Sequence, residues 1–532
     1  MNETFDYIIV GAGSAGCALA NRLSRESSRK VLLLEAGGKD RHPMIHIPLG
    51  FAFIMEDSKV NWCYKTEPEP NMKHRQLGWP RGKVLGGSSA INGMVYIRGQ
   101  REDYDRWAEA GNSGWSYDDL LPYFKRSEHN VRGADAYHGT GGPLWVDNIY
   151  DKFEMGELYV QAGVDSGLPY NEDFNGEQQE GVGYYQVNIK DGKRQSTAQT
   201  FLKQCEKRPN LKIQTNALTQ RVLFEGKKAN GVAYRVKGED KIAHCRGEVI
   251  LCGGTVNSPQ LLELSGIGDS EWLQRFGIET LQHLPGVGEN LQDHLTVNVQ
   301  MTSQGVTTFY EESRPHHLLK NVYKLYAQKR GLLVHPAAQV GAFFKTGDDV
   351  ERPDAQIHFT PAAGVKNARG HMETVPGNTA TVCYLRPSSR GDVHIKSRDP
   401  ESYPSIRANY LDTEEDRQKT VAAVEKTRQI FKAPAFEGVR TGELLPGPEV
   451  REYEEVLDFI RNTGESVYHP VGTCKMGQDD NAVVDERLRV RGVEGLRVAD
   501  ASIMPEILSG NTNAAAVVIG EKCADMLIED LR

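Results

Sequence analysis

FDYIIVGAGSAGCALANRLSRESSRKVLLLEA, running from Phe5 to Ala36, decides how the rest of the chain is read. Phe5 to Val10 is a run of β-branched and aromatic residues, which predicts a strand. The segment that follows predicts a helix through Arg25, and Lys30 to Leu34 predicts a second strand ending on Glu35. Between the first strand and the helix stand Gly11, Gly13 and Gly16. In a turn of this spacing the first glycine permits the tight bend, the second lets the backbone approach a pyrophosphate, and the third lets helix and strand pack closely. The helix start adds unpaired N–H groups and a positive dipole end. Glu35 lies nineteen residues after Gly16, where a carboxylate can accept the ribose hydroxyls of an adenosine. Strand, helix, second strand and acid together read as a dinucleotide-binding βαβ unit, without saying which dinucleotide.

A chain of 532 residues predicts two or three domains, and 39% apolar content is enough for a sizeable core. The formal charge of -9 comes from 72 acidic and 63 basic residues spread along the chain, which argues against nucleic-acid binding. No apolar run approaches membrane-spanning length, and the chain enters its first strand at once, so a cytoplasmic location is expected. The eight cysteines are scattered without C-x-x-C pairs or zinc-like His/Cys spacing and read as reduced thiols; no metal site is expected.

A second landmark is WPRGKVLGGSSAINGMVYIRG, Trp79 to Gly99, whose glycines and serines suit a backbone wrapped around a phosphate-bearing ligand. Downstream, a helix is predicted at Tyr117 to Ser127, a strand near Leu144 to Val146, and a buried strand, EVILC, before Gly253. Ser258 and Pro259 read as the N-cap and first residue of a short helix that stops at Ser265 and Gly266. Between Thr296 and Leu411, TVNVQMT, QVGAFF, AQIHFT, ATVCYL, GDVHI and IRANYL predict a mostly antiparallel sheet, because no helices alternate with them. Helices at Thr413 to Phe431 and Val450 to Arg461 follow, and a buried helix opens near Asn511 to Asn513.

Five blocks in order, GAGSAG with Glu35, RGKVLGGSSAING, GGTVNSPQLLELSGIG, YHPVGTCKMG and LRVADASIMPEILSGNTN, resemble the glucose-methanol-choline (GMC) oxidoreductases, especially the choline-dehydrogenase-like branch. The resemblance runs from end to end. It implies an α/β plus α+β fold: a Rossmann-like FAD-binding domain at 1–155, 192–299 and 463–532, and a discontinuous substrate domain on a mostly antiparallel sheet at 156–191 and 300–462. It implies that Gly11, Gly13, Ser14, Gly16, Glu35 and Ala36 cradle the ADP-ribosyl half of FAD. Arg81, Gly86, Gly87, Ser88, Asn92, Gly93 and Met94 would follow the pyrophosphate and flavin, and Val222 would meet the adenine through its backbone. Asp500, Ala501, Thr512 and Asn513 would reach the cofactor from the C-terminal segment. Where some members carry a histidine that bonds FAD covalently, this chain has Ile91, so non-covalent FAD is expected.

Oxidising an alcohol requires a base beside the hydroxyl and a hydride acceptor beside the carbon. His469, in YHPVGTCKMG, matches the family's catalytic histidine, and Asn511 falls where relatives place a second histidine or an asparagine on the same hydroxyl. An amide positions oxygen but is no base at neutral pH, so the proton falls to His469. The expected reaction is oxidation of a primary alcohol to an aldehyde, with electrons passed to a quinone-type acceptor or to oxygen. The alternative is another use of the scaffold, as in fatty-acid photodecarboxylases, which carry a cysteine where Cys383 stands, or hydroxynitrile lyases. His294, His316 and His317 lack partners at ligand spacing and read as structural or surface residues.

Overall fold

Thr4–Val10 and Val31–Leu34 lie parallel, with Val10 opposite Leu34, and the helix Ser14–Leu23 crosses between them. They belong to a computed structural model that describes residues 3–366 and 372–531. The sheet containing them runs Leu211–Gln214, Val31–Leu34, Thr4–Val10, Glu239–Leu251, Lys228–Val236 and Ala217–Glu225, with Leu496–Val498 paired to Glu239–Leu251. Where sequence indicated a short strand, EVILC, the structure has thirteen residues from Glu239. The length has a reason: the first half joins an antiparallel meander, and the second half pairs in parallel with Thr4–Val10 and Leu496–Val498.

Ser14–Leu23 is buried from Ala15 to Leu23 because the sheet covers one side and the last helix, Asn513–Glu529, the other. A Cβ added at Gly520 would stand 2.3 Å from the Ala15 carbonyl oxygen, so the two helices touch through backbone. Beside that contact, Arg22 forms a two-pronged ion pair with Glu521, both buried, at 2.7 Å on each prong. Removing either partner leaves an uncompensated buried charge, which costs roughly 3–5 kcal/mol. The two ends of the chain are thus held as one body.

The second sheet is antiparallel throughout: Arg440–Leu445, Leu295–Ser303, Gly377–Tyr384, Ala355–Thr360, Val340–Phe344 and Gly181–Tyr184, with Glu465–Ser466 paired to Leu295–Ser303. Helices Glu154–Asp165 and Glu414–Phe431 pack on it, and Tyr453–Thr463 packs on the latter. Two of the six strands read from sequence do not join this sheet. Asp392–His394 and Ser405–Arg407 pair only with each other, because His394 is drawn to Glu263 and Glu289 at 2.7 and 3.0 Å. The edge strand Arg440–Leu445 was not foreseen. The boundary drawn from sequence at residue 299 falls inside Leu295–Ser303, and that strand pairs wholly within the second sheet.

Ser258 and Pro259 do not start a helix. The helix is Gly254–Leu264, and both residues lie inside it. Its first turn is capped instead by Asp500, whose Oδ2 accepts from the Gly254 N–H at 2.8 Å and the Ser258 hydroxyl at 2.6 Å. Pro259 cannot donate to the Thr255 carbonyl four residues back. That oxygen accepts from the Thr473 hydroxyl at 2.7 Å, which makes a proline tolerable there.

Candidate active site

The two sheets meet around one cavity of about 410 Å³. Its wall includes Gly11, Gly13, Ser14, Glu35 and Ala36 from the opening βαβ unit; Arg81, Gly87, Ser88, Asn92, Gly93 and Met94 from the second landmark; and Asp500, Ala501, Thr512 and Asn513 from the C-terminal segment. His469 and Asn511 stand in the same wall. Gly16 and Gly86 do not line it. A Cβ at Gly16 would meet the Gly11 carbonyl oxygen at 2.0 Å, and Gly86 spends its N–H on Ala12 O, so both shape the turns from behind. Val222 is also outside the wall, its backbone N–H bonded to Ser265 Oγ at 2.9 Å. Leu218 and Thr219 of the same strand do line the cavity, and a bulge between Thr219 and Arg221 shifts the register that sequence alone suggests.

Whether this cavity fits a dinucleotide can be tested on its glycines. Gly11 takes φ +105°, and a Cβ there would stand 2.3 Å from Cys252 O. A Cβ at Gly13, by contrast, would meet no protein atom within 4 Å. Gly13 is therefore not required by the protein's own packing, and the free space in front of it belongs to the cavity. Gly87 approaches the same point from the other loop, so close that a Cβ on it would lie 2.6 Å from Gly13 Cα. Two glycine backbones and the N-terminus of Ser14–Leu23 thus converge where a pyrophosphate would sit. Ser14 Oγ donates to Asn513 Oδ1 at 2.7 Å, tying this turn to the start of the last helix.

Glu35 holds the turn as well as facing the cavity: its oxygens accept from the Ala12 and Gly37 N–H groups at 3.0 and 2.8 Å. Burial pushes its carboxyl up to about 7. Asp500 has a similar double position, since both oxygens accept from Gly254, Ser258 and Ser502. Asn92 Oδ1 accepts from Met94 N–H and from buried Arg194, which also bonds the Asn92 and Ile45 carbonyls. Nothing in sequence marked Arg194 as the residue that fixes this loop.

At the other end of the cavity, geometry fixes the state of His469. His294 Nε2 lies 3.0 Å from the Leu385 carbonyl, which can only accept, so that nitrogen carries a proton. Burial lowers His294 to about 4, so its ring is neutral and its Nδ1 accepts. His469 Nδ1, 3.1 Å away, must then donate. That leaves a lone pair on His469 Nε2, which receives the Asn511 amide N–H at 3.0 Å. Asn511 is oriented in turn by Gln356, whose Nε2 donates to its Oδ1 at 3.2 Å. The backbone of the base is fixed by the neighbouring acid: His469 N–H donates to Asp293 Oδ1 at 2.8 Å, and Tyr410 and Ser466 hydroxyls donate to Oδ2. Arg81 Nη2 donates to Tyr468 O at 2.6 Å, and Tyr468 holds φ +69°, a left-handed conformation that aims the following histidine.

His294 is therefore no isolated structural histidine, as sequence suggested, but the group that sets the tautomer of His469. Burial first, then His294, His358 and Arg81, holds His469 well below its ordinary value. Cys383 does not reach the cavity: it is fully buried among Met94, Tyr185 and Phe343, and burial pushes its thiol up to about 12. His316 is exposed and His317 half-buried on one surface helix. Among the described residues no cluster of His, Cys, Asp and Glu could hold a metal ion.

A glycine-lined cavity that would take a dinucleotide is thus closed by a histidine and an amide. The comparisons then fix the family: GMC oxidoreductase models match residues 5–296 and 387–520, and the chain belongs to that family. It is 44% identical to an alcohol dehydrogenase [acceptor] of Pseudomonas putida, over 98% of this chain and 96% of the relative. It is also 44% identical to an oxygen-dependent choline dehydrogenase of Cronobacter sakazakii, over 98% and 94%. Pyridoxine 4-oxidase from Mesorbium loti superposes with a TM-score of 0.89 at 31% identity, covering 98% of each chain. The family supports FAD as the group this cavity takes.

Proposed function

We propose that the protein oxidises an uncharged primary alcohol to an aldehyde, with FAD bound non-covalently in the cavity. The observation that carries this reading is the relay from Leu385 through His294 to His469, which leaves a basic lone pair facing the same cavity as the glycine cradle. FAD, held by Gly11, Gly13, Ser14, Gly87, Ser88 and the start of the last helix, supplies the hydride-accepting ring when bound. His469 Nε2 takes the proton of the substrate hydroxyl, and its neutral state makes it competent to do so near neutral pH. When the substrate hydroxyl takes its place on His469 Nε2, the Asn511 amide N–H turns from that nitrogen to the substrate oxygen, steadying it as its proton leaves. Met94, Ile91, Val467 and Tyr468 add apolar surface to the same wall. Ile91 has no nucleophilic atom, which supports a non-covalent cofactor.

The name of the second relative invites choline as substrate, and the cavity argues against it. The carboxylates in its wall are Glu35 and Asp500, both in the cradle and both bonded to backbone N–H groups. Trp62, one of the aromatic residues of the wall, already carries the Lys83 ammonium at 4.3 Å. The electrons then pass to a quinone-type acceptor or to oxygen. Anaerobic mixing of the flavin-loaded protein with aliphatic and aromatic primary alcohols in the dark tests the reaction: the visible absorbance of the flavin should bleach. A spectrum unchanged by every alcohol would instead favour lyase or photochemical use of the scaffold.

A further inference from the structure

Most exposed large apolar residues of the protein stand singly, but Leu318, Leu319, Val322, Tyr323 and Tyr326 fall on one continuous helical stretch, Pro315–Tyr323 followed by Lys324–Gln328. They are 41%, 75%, 40%, 65% and 68% exposed. At ~100° per residue the five project within an arc of roughly 140°. The opposite face, turned to the protein, holds the buried Asn321 and Leu325 with half-buried His317 and Lys324. Asn321 Nδ2 donates to Glu312 Oε2 at 2.7 Å and its Oδ1 accepts from Leu332 N–H at 3.1 Å. A helix on a soluble surface points its apolar stripe inward. This one is anchored by an asparagine and turns its apolar stripe out.

The charge of the segment is as uneven as its hydropathy. Arg314, Lys320, Lys329 and Arg330 are exposed between 314 and 330, with no Asp or Glu in that stretch, in a chain of net charge -9. We propose that this helix docks the protein on an anionic lipid bilayer, its apolar stripe in the boundary between headgroups and acyl chains and its cations among the phosphates. Tyr323 and Tyr326 suit that boundary, being apolar bodies with polar tips. A second copy of the chain fits less well, since a two-fold contact would set the patch against itself and four exposed cations against four. The contact is shallow, and no described helix is long and apolar enough to cross a membrane.

The helix is also next to the reaction cavity. Leu332–Val334, just after it, packs on Pro48–Gly50, and the chain then reaches Ala337 and Ala338 in the cavity wall. Pro48–Gly50 continues into Phe51–Ile54, where Phe51 lines the cavity and Phe53 is 72% exposed. Docking by this helix brings the Phe51 and Ala337 side of the cavity to the bilayer, from which alcohols or acceptors dissolved in lipid can enter.

The test is sedimentation of the flavin-loaded protein with vesicles of phosphatidylcholine and phosphatidylglycerol, at about three to one, and with phosphatidylcholine alone. The wild type should pellet with the mixed vesicles, and binding should fall at least ~10-fold with uncharged vesicles, in high salt, and in the triple variant L319S/Y323S/Y326S. That variant should oxidise a water-soluble alcohol with a soluble dye acceptor at the wild-type rate. The proposal is overturned if the wild type stays in the supernatant, if it binds uncharged vesicles equally well, or if the triple variant pellets like the wild type. A concentration-dependent dimer abolished by the triple variant, with no vesicle binding, would give the face to a second copy instead.

Discussion

Gly13 and Gly87 show how much one missing side chain decides. Gly13→Ala adds a methyl that meets no protein atom, so the apoprotein should melt at the wild-type temperature while flavin content falls severely. Thermal melts with and without FAD, with flavin counted by absorbance, separate the two effects. A variant that keeps full flavin would show that the pyrophosphate lies elsewhere. At the reacting end, His294 acts through His469. Because the unprotonated ring is the active form and its pKa is lowered, the acid limb of kcat/KM should lie below pH 6.5, with a plateau above it. His294→Asn removes a coupled ring that lowers His469, so the limb should move up toward neutrality and kcat should fall by about tenfold or more with KM little changed. The pH profile is the readout, since a merely structural loss would leave the limb in place. His469 and Asn511 were singled out in sequence by their motifs, and the structure brings them within 3.0 Å of each other in the cavity wall. Sequence hid His294 and Asp293, which stand 175 and 176 residues from their partner and show their meaning only when Leu295–Ser303 pairs beside Glu465–Ser466.

The elements most legible in sequence are those whose signals are local. The opening βαβ unit and the helix Tyr117–Ser127, capped by Ser116 and Asp119, need little from the rest of the chain. The helix Gly254–Leu264 is the opposite case, because its start depends on Asp500 and its internal Pro259 on Thr473. Local rules place a proline at a helix start, and here a hydroxyl more than two hundred residues away overrides them. Thr473→Val keeps the shape but leaves the Thr255 carbonyl buried and unpaired, so it should cost roughly 1–3 kcal/mol in urea unfolding. An unchanged midpoint would mean that this carbonyl is satisfied in some other way. The strands GDVHI and IRANYL were misplaced for a similar reason: period-two patterning says that a segment is extended, while His394 and its two glutamates decide which partner it takes.

In the whole molecule, a mixed sheet and an antiparallel sheet meet at one cavity, and residues from both stand in its wall. Sequence alone indicated both sheet types, because helices alternate with strands in one part and not in the other. Which strands face the cavity was not legible, since His358 and Thr381 line it side by side only through the register His358↔Thr381. The electrostatics of that wall give a further expectation. Choline and its uncharged isostere 3,3-dimethylbutan-1-ol have the same shape, and a wall without a free carboxylate at the reacting end should favour the isostere by at least ~10-fold in binding to the oxidised protein, followed by perturbation of the flavin spectrum. Tighter choline binding would reverse the assignment of substrate charge without touching that of the base. The central claim, that a cofactor held by the first residues of the chain is served by a base from the last seventy, is tested most directly by anaerobic reduction of the flavin in wild type and His469→Ala loaded with equal flavin. The account predicts a rate lower by about 10²–10⁴-fold in the variant, and an unchanged rate would contradict it.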